Sequence, residues 1–218
     1  MSSVLDLIGN ASGLLLTIPI TLLVIAWRKP IHRHENTVYL VALGFVGCIL
    51  LNARYDVIRQ EVFLSITSGG MSFALFYLVM LTGAFNRGSK PYIIFMQVRR
   101  EMALIGFIFL IPHASTRLNL ALNGYNFTGL IAFIIMVPLV ITSYPLIRKQ
   151  LSRQRWLQVH KMAYIVYLMI YIHLGFTLIA FNGLQVSYAE DSLLYHIAFL
   201  VYLFMKSKNR IYPKIKSA

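Results

Sequence analysis

Cysteine is scarce in this chain of 218 residues, and its scarcity excludes several redox sites. Cys48 is the single cysteine. One cysteine cannot form an intrachain disulfide, a four-cysteine iron–sulfur site or the C-x-x-C-H attachment of a c-type haem. The sequence also lacks a G-x-G-x-x-G motif, a P-loop and a credible Ser/His/Asp arrangement. Any redox group must therefore be held non-covalently.

Charge is scarce as well, and this places the chain in a membrane. Charged residues make up 12% of the sequence, whereas 58% is hydrophobic and the mean hydropathy is +0.70. A soluble domain typically carries about 25% charged residues. Crossing a bilayer takes about 20 apolar residues, and strand-length alternation is absent. We therefore predict an all-α membrane helical bundle with seven spans, at about 7–27, 37–53, 67–85, 102–121, 127–147, 161–181 and 190–205.

The basic residues are concentrated on one side of the predicted bundle. Loops 28–36, 86–100 and 148–161, with the tail 206–218, hold 17 of the 20 Lys and Arg residues. The opposite side holds five of the seven acidic residues. This asymmetry predicts an outside N-terminus and a cytoplasmic C-terminus in the cell membrane. We interpret the basic loops as topology determinants near anionic lipid, and we expect no nucleic-acid binding.

Two histidines lie deep inside separate predicted spans. His113 comes 13 residues after Arg100, and His173 comes 12 residues after Lys161. At about 1.5 Å per helical residue, both imidazoles lie roughly 18–20 Å from the basic side. An ionisable residue inside a membrane indicates a functional site. Two histidines at matching depth can ligate one metal, and a bis-histidine b-type haem is the natural candidate.

Two further histidines leave alternatives open. His160 lies at the cytoplasmic end of the sixth span, beside Trp156. It is either an interfacial residue or an axial ligand of a second haem. His196 in the seventh span is predicted near the depth of His113. It could replace a ligand, support one through a hydrogen bond, or simply pack in the bundle.

Three other residues receive simpler interpretations. Arg117 lies one turn beyond His113 on the same helix face, where it could meet a haem propionate or extend to lipid headgroups. His32 and His34 fall in a charged cytoplasmic loop. We expect both of them to be solvated surface residues.

The spacing of these residues resembles the ferric reductase-like transmembrane domain family. The resemblance covers roughly residues 60–206, and its outer segments are less specific than its centre. The most specific parts are an Arg-x12-His run and a Trp-x3-His-x12-His run. They correspond here to Arg99-Arg100-x12-His113-Ala114-Ser115 and to Trp156-x3-His160-x12-His173, with Thr142-Ser143, Arg148-Lys149 and Ala163-Tyr164 around the latter.

The resemblance implies a fold and a ligand set. It predicts a six-helix haem-binding core at 37–206, preceded by an extra N-terminal transmembrane helix and loop at 1–36 and followed by a basic cytoplasmic tail at 207–218. His113 and His173 would hold one haem b, and His160 is a candidate ligand of a second. FMN or a quinone is a further candidate cofactor.

The resemblance also implies a function. The chain is similar in size to MsrQ-like haem-binding membrane subunits, which are related to the membrane domains of NADPH oxidases and STEAP reductases. It would be an oxidoreductase electron-transfer subunit that needs a separate reductase. Electrons would come from a cytoplasmic flavin reductase or membrane quinol and leave toward an extracytoplasmic redox protein or ferric iron. The alternatives are a transporter or proton/metal relay that uses the histidines, and a non-catalytic anchor for a partner oxidoreductase.

Overall fold

The computed structural model describes residues 12–55, 58, 64–180, 183–189 and 192–216, and these are mostly helical. Two strands form one small antiparallel hairpin. The elements are α1 (Ser12–Arg33), α2 (Glu35–Tyr55), α3 (Leu64–Thr67), α4 (Gly70–Thr82), α5 (Lys90–Gln97), α6 (Arg99–Leu122), α7 (Thr128–Ser143), α8 (Pro145–Gln150), α9 (Arg153–His160), α10 (Ala163–Gly175), β1 (Phe176–Ile179), β2 (Gln185–Tyr188) and α11 (Leu193–Lys216).

Three of the described helices are long and apolar enough to cross a membrane by length and composition. They are α1 from Gly13, α2 and α6. Helices α4 and α7 are apolar but shorter. Large apolar side chains such as Ile18, Leu22 and Leu40 are exposed, as expected of surfaces that face lipid. The chain is therefore a helical membrane protein, and the seven-span arrangement stays a prediction.

Two of the predicted spans agree well with single helices. Span 102–121 corresponds to α6, and span 37–53 corresponds to α2. Span 127–147 is shorter than predicted because Tyr144 precedes Pro145 and adopts an extended conformation, which ends α7. The start of the first predicted span lies outside the described residues.

Two predictions about local structure are wrong. The segment 28–36 is not a loop, because α1 continues to Arg33 and α2 begins at Glu35. Backbone hydrogen bonds from His34 to Pro30 and from Val38 to His34 keep this junction nearly helical. The described residues are mostly helical, which is consistent with the predicted all-α class, and they also include one short hairpin. The predicted sixth span ends as a helix at Gly175 and continues into β1.

The chain forms two compact units, Met1–Pro112 with His196–Ala218 and His113–Tyr195. The first unit has an apolar core formed by α1, α4, α5 and α6. Helix α5 begins where the Ser89 hydroxyl accepts a hydrogen bond from the Tyr92 amide, a normal N-cap. Lys206 of α11 donates a hydrogen bond of 2.6 Å to the Gly83 carbonyl at the end of α4. The buried core residues are Val24, Leu75, Leu78, Val79, Phe95, Val98 and Met102.

The second unit is organised by α7, which packs along α10 and α9. The hairpin pairs Phe176 with Tyr188 and Ile179 with Gln185. The α6–α7 loop is fixed to β1 because the Asn126 side chain accepts a hydrogen bond from the Leu178 amide at 2.9 Å. This loop and β1 lie at the ends of α7 and α10 that carry the candidate site.

Candidate functional site

The structure brings the rings of His113 and His173 together. Their centroids are 6.2 Å apart, and the ring planes are nearly perpendicular, at 80°. His113 follows the buried Pro112 in α6, and His173 lies in the last turn of α10. Both histidines are partly buried within the second unit. Residues 60 positions apart in sequence therefore form one paired site.

A glycine of α7 makes room for the His173 ring. A Cβ atom at Gly129 would lie 2.7 Å from Cε1 and 2.8 Å from Nδ1 of His173. Such distances are far below van der Waals contact, so no other residue fits here without movement of the ring. Gly129 thus allows the α7 backbone to lie directly against His173.

His173 also carries an unsatisfied polar atom. Its Nδ1 is buried and has no hydrogen-bond partner within the described parts of the chain. The Asn126 backbone interacts with the same ring but makes no hydrogen bond of normal geometry to Nδ1. Buried polar groups normally have partners, and those that lack one often mark the site of an absent ligand or water.

These features fit a bis-histidine metal or haem site. A metal bound by two opposed imidazoles, with metal–nitrogen bonds of about 2 Å, places the ring centroids roughly 6 Å apart. The observed 6.2 Å agrees with this separation. The close approach at Gly129 and the unsatisfied Nδ1 are consistent with a ring held in place for a ligand.

His160 occupies a different polar cluster in the same unit. Its Nε2 lies 3.2 Å from the Thr142 hydroxyl, and its ring stacks on Trp156 with centroids 4.1 Å apart. The Arg148 guanidinium lies 4.9 Å from the centroid of the Trp156 ring. Ser152 caps α9 and so fixes the start of the helix that carries this cluster.

Both His160 and His173 contact α7, at opposite ends of that helix. His160 meets Thr142 near its C-terminus, whereas His173 meets Gly129 near its N-terminus. On an ideal helix, 13 residues would turn these two side chains to different faces. The helix is instead interrupted between His160, where α9 ends, and Ala163, where α10 begins, and this break lets both side chains contact α7. The amides of Tyr164 and Ile165 bond to carbonyls only three residues back, which tightens the junction.

Arg117 and His196, the other two candidate residues, have fewer described contacts. Arg117 is exposed on α6, one turn after His113, which suits either a propionate or a headgroup. His196 lies in the first unit and is partly buried. Its proposed role as a replacement or supporting ligand stays a prediction.

His32 is exposed, as predicted, but it also contacts a buried carboxylate. Although its side chain is 61% exposed, its Nδ1 lies 2.9 Å from Oε1 of Glu101, whose side chain is 1% exposed. Arg100 pairs with Glu101 at 2.8 Å and also with Glu35. Sequence reasoning missed this cluster. One signal was available, since Glu35 and Glu101 are the two acidic residues on the predicted basic side.

The fold and the site define a class of helical membrane protein in which two histidine rings lie close together. Residues 68–171, just under half of the chain, match the family described as ferric reductase like transmembrane component, which is the family that the sequence resembles. The matched residues include His113 and His160 and end two residues before His173. The match indicates a role in membrane electron transfer.

One relative adds little about activity. An uncharacterized protein of Treponema pallidum (strain Nichols) is 25% identical over 221 residues, which cover 92% of this chain. The match spans 61% of the relative's length. No solved structure matches the chain.

Proposed function

We propose that the chain is a transmembrane b-type cytochrome in which His113 and His173 are the two axial ligands of one haem. The observation that carries this proposal is the 6.2 Å separation of the two ring centroids, on helices that are 40 residues apart in sequence. The family match supports it independently, because it indicates membrane electron transfer without depending on ring geometry. A bound haem would supply transfer of one electron at a time.

The residues of the site would hold and tune that group. Gly129 lets α7 support the back of the His173 ring, which restricts its orientation. Pro112 is buried directly before His113 and removes one backbone donor from α6. The surrounding apolar helices would limit the access of water to the site. In such an environment the ligands and their hydrogen bonds strongly influence the reduction potential of the bound group. Arg117 is the residue we assign to a propionate.

We do not assign His160 to the ligand set of this haem. Its Nε2 already interacts with Thr142, and its ring stacks on Trp156. The end of α7 that it contacts is about 13 residues, or roughly 20 Å, from the end that His173 contacts. A second haem at His160 would require these contacts to break, so we propose one haem.

The direction of transfer follows from the charge asymmetry. We propose that electrons enter at the basic cytoplasmic side, from a flavin reductase or membrane quinol. They leave on the opposite side of the cell membrane, toward an extracytoplasmic redox protein or ferric iron. Arg148, Lys149, Arg153 and Arg155 form a basic segment that would attract an acidic reductase or a flavin phosphate.

The test is a reduced-minus-oxidised visible spectrum of the purified full chain from haem-replete cells. We expect a low-spin b-type spectrum with about one haem per chain. His113→Ala and His173→Ala should each abolish the low-spin spectrum, because each removes one axial nitrogen.

His160→Ala is the matched control for this experiment. It removes an intramembrane histidine of the same unit but neither proposed ligand, so the b-type spectrum should persist. A haem-free wild-type preparation would contradict the proposal. So would a spectrum that is lost in His160→Ala and retained in His173→Ala.

A further inference from the structure

Three potential metal ligands meet at the basic end of the first unit. His32 lies in the last turn of α1, Glu35 begins α2, and Glu101 lies in the first turn of α6. The ligand atom that each offers lies within 4.8 Å of the other two. Glu35 and Glu101 are separated by 66 positions in sequence, so the fold brings the set together.

The buried carboxylate of Glu101 is the unusual member. Its side chain is 1% exposed, and an ionised carboxylate is costly to bury without compensation. Arg100 supplies one positive charge, which its Nη2 shares between Glu101 Oε1 and Glu35 Oε2. Two carboxylates thus share one guanidinium. A bound cation would add a further positive charge beside the buried Glu101 carboxylate.

Two buried polar atoms beside these carboxylates lack partners within the described residues. The Tyr39 hydroxyl is one of them, and the Tyr39 side chain is 8% exposed. The Arg100 guanidinium approaches this hydroxyl without making a hydrogen bond of normal geometry, and Glu101 and Glu35 also lie near it. The Nε of Arg100 is the other. A hydrated cation would supply water oxygens to both groups, which the protein alone leaves unsatisfied.

The cluster is accessible from one side. A polar cleft of about 510 Å³ is lined by His32, Glu35 and Arg100, together with neighbouring residues of the α1–α2 junction. A metal site needs a route of access as well as ligands. The cleft provides this route and leaves room for metal-bound water.

We propose that His32, Glu35 and Glu101 bind one divalent first-row transition metal ion. Imidazole combined with carboxylate oxygen suits Zn²⁺, Mn²⁺ and Fe²⁺. Ligand atoms at about 2.0–2.2 Å from zinc lie roughly 3–4 Å apart, so the present spacing requires only small side-chain shifts. Arg100 contacts Oε1 of Glu101 and Oε2 of Glu35, so the second oxygen of each carboxylate would be the one offered to the metal. The site uses neither His113 nor His173, so it stands apart from the proposed haem.

Zinc binding to the purified full chain tests this site. The protein is treated with a chelator in detergent and dialysed against Zn²⁺, and the zinc-to-protein ratio is measured by elemental analysis. We expect saturation at about one zinc per chain. His32→Ala should weaken binding by at least tenfold. His32 is the preferred position because its side chain is largely exposed, whereas Glu101→Gln would remove a buried charge that Arg100 requires.

Two controls distinguish this site from other histidines. His160→Ala, in the second unit, should leave zinc binding unchanged. His173→Ala should also leave it unchanged, even where it abolishes haem binding. No saturable zinc uptake by the wild type would overturn the proposal. So would uptake that His32→Ala leaves intact or that His173→Ala removes.

Discussion

At the residue scale, helical rise alone was enough to relate His113 to His173. Both were predicted at the same depth from their distance to a basic edge, and their rings lie 6.2 Å apart. The role of Gly129 could not be predicted, because no sequence signal shows which residue of α7 meets His173. The Glu101 cluster was missed for a similar reason. Its ligands come from α1, α2 and α6, and the α1–α2 junction was expected to be a solvated loop.

Gly129→Ala should disturb the histidine pair. The added Cβ would lie 2.7 Å from Cε1 of His173, so either the ring or α7 must move. Overpacking of this kind typically costs about 1–3 kcal/mol. We expect a lower midpoint of thermal unfolding and a reduced haem-to-protein ratio, both measured on purified protein.

Gly44→Ala provides the matched control for that substitution. A Cβ at Gly44 in α2 would meet nothing within 4 Å. Alanine is favoured over glycine inside a helix by about 0.5–1 kcal/mol. The thermal midpoint should therefore stay unchanged or rise slightly, with full haem content. Equal effects of the two substitutions would show that the close contact at Gly129 is unimportant.

At the scale of elements, helix existence was predictable and helix ends were less so. The apolar runs predicted α2 and α6 with ends close to those in the structure. The end of α7 was predictable in principle, because Pro145 disfavours a helical conformation at the preceding Tyr144. The break between α9 and α10 and the hairpin β1–β2 depend on tertiary contacts. One of these is the pairing of Asn126 with Leu178, which sequence does not reveal.

Asn126→Ala should loosen the connection between the α6–α7 loop and β1. Asn126 has a positive φ of 49°, which alanine tolerates poorly, and its side chain accepts the Leu178 amide bond. Leaving that amide unpaired costs about 1–3 kcal/mol. We expect a lower thermal midpoint. Asn126→Asp, which keeps an acceptor, should retain most of the stability.

Asn123→Ala is the control for this loop. Asn123 is exposed in the same segment, and its backbone amide bonds to Asn119 whatever its side chain. Its thermal midpoint should match that of the wild type. If Asn123→Ala and Asn126→Ala are equally destabilising, the Asn126–Leu178 bond is not what holds the loop.

At the scale of the whole molecule, composition indicated a membrane protein and residue spacing indicated a resemblance to one family. The family match over residues 68–171 agrees with that resemblance. The number and direction of the spans rest on the distribution of charge. Among the described helices, three have the length and hydropathy of a membrane span. The orientation of the chain in the membrane is therefore best measured by labelling in cells.

The single cysteine makes such labelling simple. Two variants are made, each in a Cys48→Ser background. Arg87→Cys places a thiol in the exposed loop before α5, and Asn123→Cys places one in the exposed loop after α6. The positive-inside pattern puts residue 87 in the cytoplasm and residue 123 outside. A membrane-impermeant maleimide should label residue 123 in intact cells. It should label residue 87 only after permeabilisation, and the reverse pattern would contradict the proposed direction of electron transfer.

The most direct test of the central claim is the electron paramagnetic resonance spectrum of the oxidised, purified chain. Two nitrogen ligands make ferric haem low-spin, and nearly perpendicular imidazole planes, as in the 80° pair here, make its signal strongly anisotropic. We predict such a low-spin signal in the wild type and its loss in His113→Ala and in His173→Ala. A high-spin ferric signal from the haem-loaded wild type would contradict ligation by both histidines.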